Sequence, residues 1–267
     1  MATIGYRETP FLQSLAIQVR VIGAIMMREL HTRFGRHNIG YLWLVLEPMI
    51  LSAGVSSFHY FSGTSSPFGI PAGPFYAGGY ITYIIFRNNV NRAAGLIESN
   101  KPLLFHRNVT LLDINLARIS LDTVASIGAM TVILATFYVL GIGMVPERPY
   151  LLLEAMFLMS WLSFAVGMLV AGGTEITPVV ERIVHPTTYL LIPFSGMFTV
   201  MDEMPPFLAR ITAVLPFSHI ADLTRMGLKA DFNSTYVNLG YVVIWNAVLT
   251  LLGLLTLRIA RARMHFG

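Results

Sequence analysis

The residues with the most chemistry per position are Arg87-Asn88-Asn89 and Asn91-Arg92, and they sit inside an apolar stretch running from Phe75 to about Ile97. Bare hydrocarbon does not tolerate cations and amides, so this half of the stretch must face protein, water or a polar cargo. Tyr76, Tyr80, Tyr83, Arg87 and Asn91 follow one another at steps of four, three, four and four, which places them on one face of a helix. Aromatic faces pack on the apolar face of a pyranose, while Arg and Asn bind carboxylates and hydroxyls. With Arg92 added, the set reads as one wall of a substrate channel for a sugar chain. The plain alternative is that Tyr76 belongs to an interfacial aromatic belt and the others pack within a bundle.

Other chemistry is sparse. The seven histidines, His31, His37, His59, His106, His185, His219 and His265, show neither paired metal-ligand spacing nor an H-E-x-x-H pattern. The sequence therefore offers no catalytic residue and no metal site. Gly78-Gly79 and Gly172-Gly173 are followed by no Lys-Ser or Lys-Thr, so no loop here cradles a nucleotide. If transport is driven by ATP, another chain hydrolyses it. Glu47, just before Pro48, lies roughly 10 Å from the cytoplasmic edge of its stretch, and Arg92 and Arg87 lie roughly 8 and 15 Å from the same edge. The matching depths predict a structural ion pair between Glu47 and Arg87 or Arg92, since an unpaired buried carboxylate costs several kcal/mol. Arg118 and Asp122, at i and i+4, are expected to pair with each other. Glu175, Glu181 and Arg182 read as a solvated turn, and Trp43, Trp161 and Trp245 as packing or belt residues.

The elements that must hold these residues follow from composition. The 267 residues are 55% hydrophobic and 12% charged, with a mean hydropathy of +0.64. Such values describe an integral membrane protein. A net charge of +4 without any basic run points to membrane topology and away from nucleic acid. The absence of cysteine excludes disulfides and thiolate metal sites. Stretches of bilayer-crossing length fall at Gly40 to Phe61, Phe75 to Ile97, Arg118 to Gly143, Tyr150 to Ala171 and Tyr236 to Leu257. A shorter one, Thr187 to Val200, is broken by Pro193, and counting it gives about six transmembrane helices in an all-α fold.

Arginines and lysines before the first stretch, at Lys101 and Arg107, and in the tail at Arg258, Arg261 and Arg263 share one side only if the number of crossings is even. Both termini are then cytoplasmic. Phe11, Leu15, Val19, Ile22 and Met26 recur at helical spacing and predict an amphipathic helix lying in the cytoplasmic interface. Between Met201 and Lys229, Pro205, Pro206 and Pro216 bracket a piece too short to span, expected to be a re-entrant or surface-lying helix on the outer side. The organisation is thus a cytoplasmic N-terminus with its interfacial helix (1–39), one transmembrane domain (40–257) and a cytoplasmic tail (258–267).

The run Arg28-Glu29-Leu30-His31-Thr32-Arg33-Phe34-Gly35, continued by Leu42-Trp43 and Leu46-Glu47-Pro48, resembles the membrane subunit of ABC type-2 polysaccharide exporters, particularly the capsular-polysaccharide branch. The likeness extends through Ser99-Asn100-Lys101-Pro102-Leu103-Leu104, Ser195-Gly196-Met197-Phe198, Met204-Pro205, Pro216 and His219. It implies two copies of the chain around a continuous channel and two cytoplasmic ATP-binding subunits, which hold ATP and magnesium. These subunits would dock on the interfacial helix at Arg28, Arg33, Phe34 and Arg36 and on the connection at Lys101, Pro102 and Arg107. The implied cargo is a lipid-linked acidic polysaccharide, crossing the inner membrane with or without a periplasmic adaptor. Related permeases for O-antigen or teichoic-acid-like polymers, or for small amphiphiles, share the same architecture. A membrane transferase would show a clustered Asp or His site, and a secondary transporter internal pseudo-symmetry; the sequence displays neither.

Overall fold

A computed structural model describes residues 11–34, 40–63, 67–104 and 109–263, and within them every regular element is helical. Helix α1 (Phe11–Phe34) precedes α2 (Gly40–Phe61), α3 (Ala72–Ala93) and the short α4 (Leu96–Leu104). Two long helices follow, α5 (Leu111–Val139) and α6 (Pro149–Ile176), and then α7 (Val179–Leu190). Two 3-10 turns lead to α8 (Pro206–Thr212), α9 (Pro216–Leu228) and the last helix, α10 (Leu239–Arg263).

Helices α5, α6 and α10 are long and apolar enough to cross a membrane. Helices α2 and α3, at 22 residues each, are about 33 Å long at 1.5 Å per residue. The first predicted stretch, Gly40 to Phe61, coincides with α2, whereas others are displaced for local reasons. Helix α3 ends at Ala93, ahead of Gly95, and the short helix α4 follows before α5. Helix α5 begins at Leu111, two turns before the predicted start, because Thr110 caps it: the Thr110 hydroxyl accepts from Asp113 N–H, and the Asp113 carboxylate accepts from Thr110 N–H at 2.9 Å. The fifth stretch is displaced most. Helix α7 covers Val179–Leu190, so only the start of the Thr187 to Val200 stretch is α-helical, and from Ile192 onward it is 3-10 turn and loop.

Helix α6 is the central post, packing against α3, α5, α9 and α10. Small residues set its closest approaches. A Cβ on Gly253 of α10 would stand 2.9 Å from both the Ala165 carbonyl oxygen and Met168 Cβ, and one on Gly172 would lie 2.9 Å from the Thr256 carbonyl carbon. Without an apolar driving force between helices in lipid, such backbone proximity and interhelical hydrogen bonds hold a bundle together. Asn89, Asn115 and Asn246 each donate to a carbonyl of α6, of Ser163, Phe164 and Leu158, at 3.0, 3.0 and 3.1 Å. Exposed Val124, Phe157, Leu251 and Leu255 give the outside of the bundle an apolar coat suited to lipid.

Helix α1 forms as expected, with a different face turned to the protein. Leu15 and Val19 stay exposed, while Ile22, Ile25 and Met26 join a small core with Ile97, Leu111 and Leu257. Gln18, hydrogen-bonded to Asp113, and Glu29, paired to Arg118, complete the seam against α5.

Candidate functional site

The polar cluster of α3 fans out around the helix, and neighbouring helices claim most of it. Tyr83 is buried and donates to the Thr188 carbonyl at 2.5 Å. Tyr76 is also buried, its ring stacked on His59 at 3.8 Å between centroids. Those two rings thus lie within the protomer's own packing. Tyr80, Arg87, Asn91 and Arg92 are half-buried. The Arg87 guanidinium lies 4.3 Å over the Tyr189 ring and donates to its hydroxyl, and Asn91 Oδ1 accepts from Thr188 at 3.0 Å. One face of α3 is thus zipped to α7 by Tyr83, Arg87 and Asn91.

The ion pairs differ from those that depth and spacing predict. Arg92 meets Asp122 of α5, and Arg118 meets Glu29 of α1 at 2.9 Å. Asp122 is therefore not the local partner of Arg118. Glu47 is exposed and lines a small gap that Arg92 and Asp122 also line, with no ion pair to Arg87 or Arg92 among the described residues. The reason is rotational. Arg92 and Asp122 sit where α3 and α5 face each other, while Glu47 stays at the surface of α2.

Of the residues expected to couple to an ATPase, Arg28, Lys101 and Pro102 lie on one side of the bundle. Arg28 is exposed on α1 and donates to Asn100 Oδ1 of α4 at 3.0 Å. Asn100 is buried, its amide nitrogen held by the Leu96 carbonyl at 2.8 Å. Lys101 pairs with Glu98 at 2.5 Å, and that carboxylate raises its ammonium above the ordinary lysine value, chiefly through the hydrogen bond. Pro102 lies within α4. Arg33 and Phe34 end α1, while Arg36 and Arg107 lie outside the described residues.

Sequence reasoning missed the most deeply buried ion pair. Arg225 and Asp222 of α9 are both fully buried and 3.1 Å apart. Arg225 also donates to the Met197 carbonyl at 2.9 Å and lies 4.2 Å over the Phe75 ring. Asp222 accepts from Met201 N–H at 3.3 Å and Ser234 at 3.0 Å. A Cβ on Gly79 would come within 2.2 Å of that same Met197 carbonyl oxygen, so only glycine lets the loop reach α3. The available signal was the i, i+3 spacing of the two charges between apolar residues. The proline-bracketed piece forms α8, with Phe207, Leu208 and Ile211 exposed, and a second helix that the sequence reading did not place, α9, follows Leu215, buried along nearly its whole length against α6 and α3.

Residues 20–228 match the family model described as "ABC-2 type transporter". The capsule polysaccharide export inner-membrane protein BexB of Haemophilus influenzae is 34% identical over 251 residues, 94% of this chain and 95% of that protein. The capsule polysaccharide export inner-membrane protein CtrC of Neisseria meningitidis serogroup B is 34% identical over 247 residues, 92% of this chain and 93% of that protein. The polysialic acid transport protein KpsM of Escherichia coli is 25% identical, covering 89% of this chain and 92% of its own length.

Proposed function

The chain belongs to the ABC-2 type transporter family, and from that membership we propose that it is the membrane subunit of a capsule polysaccharide exporter in the inner membrane. The single observation that carries this reading is the near end-to-end similarity to capsule export proteins of two genera. In the same reading two copies enclose the channel, and two cytoplasmic subunits bind ATP and magnesium and supply the driving force. The chain crosses the membrane six times, with the segment that runs from α7 on to Val200 as the fifth crossing and the piece from Met204 to Leu215 as the outer re-entrant element, and both termini are cytoplasmic. Arg28, Arg33, Phe34, Arg36, Lys101, Pro102 and Arg107 receive the ATPase, while Tyr80, Arg87, Asn91 and Arg92 lend the conduit its polarity. Arg28 and Lys101 support the docking side, because both are exposed at one end of the bundle. An acidic polymer is the cargo these cations suit.

Two measurements test the reading. Deleting the gene should abolish surface capsule while the polymer accumulates inside the cell, with recovery on re-expression. The purified chain mixed with its cognate ATPase should form a stable complex whose ATP hydrolysis rises when the polymer is added. Normal surface polymer in the deletion strain, or no complex with the ATPase, would overturn it.

A further inference from the structure

Where α1, α3, α4 and α5 meet, the structure holds an open cavity of about 430 Å³ whose lining includes Arg28, Glu29, Arg92, Ser99, Asn100 and Arg118. Three guanidinium groups line it against one carboxylate, and with Asp122 behind Arg92 counted the cluster keeps one positive charge in excess. The nearby carboxylates are engaged: Glu29 by Arg118 at 2.9 Å, Asp122 by Arg92, and Glu98 by Lys101 at 2.5 Å. Arg28 is held by a neutral amide, its Nη1 donating to Asn100 Oδ1 at 3.0 Å. Its charge is thus positioned without being neutralised by that contact. The frame around it is built, since Glu29, Asn100 and Arg118 are all buried. Arg118 also reaches Ser99 Oγ at 3.4 Å, tying α4 to α5.

Arginines fixed around a common space suit a tetrahedral oxyanion, whose several acceptors match their forked donors. We propose that this cavity is a binding site for a phosphate group carried by a membrane amphiphile. Its place explains why a channel cation, Arg92, and a docking cation, Arg28, line one space although they are 64 positions apart in sequence. An anion seated there touches the interfacial helix, the polar helix α3 and the α4 connection together. The phosphate comes from the anionic headgroup of a bilayer lipid or from the lipid end of the cargo, and only the second source rests on the exporter reading.

The test uses the full chain in nanodiscs of phosphatidylcholine with a small fraction of fluorescent phosphatidylglycerol, and then of the purified lipid-linked polymer. Saturable binding of the phosphatidylglycerol probe, competed by unlabelled phosphatidylglycerol and not by phosphatidylcholine, assigns the site to a lipid headgroup. Competition by the lipid-linked polymer at lower concentration assigns it to the cargo, and competition by millimolar inorganic phosphate shows that phosphate alone suffices. Arg28→Gln should weaken binding about tenfold, the effect of one charge-assisted contact. Thr32→Glu, a carboxylate added at an exposed position on the rim, should weaken it at least as much. Both substitutions lie at exposed positions on α1, and unchanged thermal unfolding of each variant shows that the fold is intact. Equal binding by wild type and both variants, or by phosphatidylcholine, would overturn the proposal. Because these measurements need neither ATPase nor export, such a failure leaves the exporter reading standing, and loss of ATPase association leaves the phosphate site standing.

Discussion

Which acid meets which arginine is decided at the residue scale by helix rotation, and depth in a sequence does not contain it. Arg118 and Asp122 lie on one face of α5 at ideal local spacing, yet each turns to another helix, to Glu29 and to Arg92. The two pairs tie α5 to α1 and to α3, whereas a local pair within α5 would tie it to neither. The consequence is a ranking. Asp122→Asn should destabilise the chain by about 1.5–3 kcal/mol, towards the lower end because Arg92 keeps 36% of its side chain exposed. Glu47→Gln, at an exposed position, should stay within about 0.5 kcal/mol. Thermal unfolding in one detergent compares them, and a larger effect at Glu47 would contradict the assignment. Arg87 is separable from this network, because its partner is the Tyr189 ring and hydroxyl. Arg87→Gln should therefore slow export of an acidic polymer several-fold while sparing a neutral one, as transport in reconstituted vesicles would reveal. Equal slowing of both would reduce Arg87 to a packing residue.

Element by element, the sequence shows existence better than boundaries. Apolar length marked α2, α3, α5, α6 and α10 because a bilayer demands it of any crossing. It placed the α5 start late, at Arg118, because apolar length alone does not show the reciprocal Thr110–Asp113 cap that begins the helix at Leu111. The split between α8 and α9 was only half legible: the prolines mark the break, but burial of α9 depends on tertiary neighbours such as Phe75 and Met197. Glycine contacts belong to this scale too. Gly253→Ala should destabilise by about 1–3 kcal/mol through overpacking, because its Cβ has the Ala165 carbonyl oxygen at 2.9 Å. Gly54→Ala in α2 meets nothing within 4 Å and should be neutral or slightly stabilising. Matched unfolding midpoints for the two would refute α6–α10 contact as the cause.

At the scale of the whole molecule, sidedness is the property that organises the others. The backbone fixes relative sides. Glu147 and Arg148 N–H groups donate to the Leu228 and Gly227 carbonyls at 3.1 and 3.0 Å, and the Glu147 carboxylate accepts from Ala230 N–H at 2.6 Å. The α5–α6 loop therefore lies at the same end as the segment that follows α9. Helices α5 and α6 run from that end to the opposite one, where Ser99 and Glu175 are exposed. On the proposed orientation, which rests on arginine bias, the second end is the cytoplasmic one. Because the wild-type chain has no cysteine, any introduced thiol is the only one in the chain. Val145→Cys and Asn233→Cys, both at exposed positions, should react with a membrane-impermeant maleimide in spheroplasts. Ser99→Cys and Glu175→Cys should react only after the membrane is opened. Reversal of all four would invert the chain and place the phosphate cavity on the outside, away from any ATPase. Labelling of Val145→Cys and Ser99→Cys from one side would mean that α5 does not cross, and the even number of spans on which both cytoplasmic termini depend would fail with it.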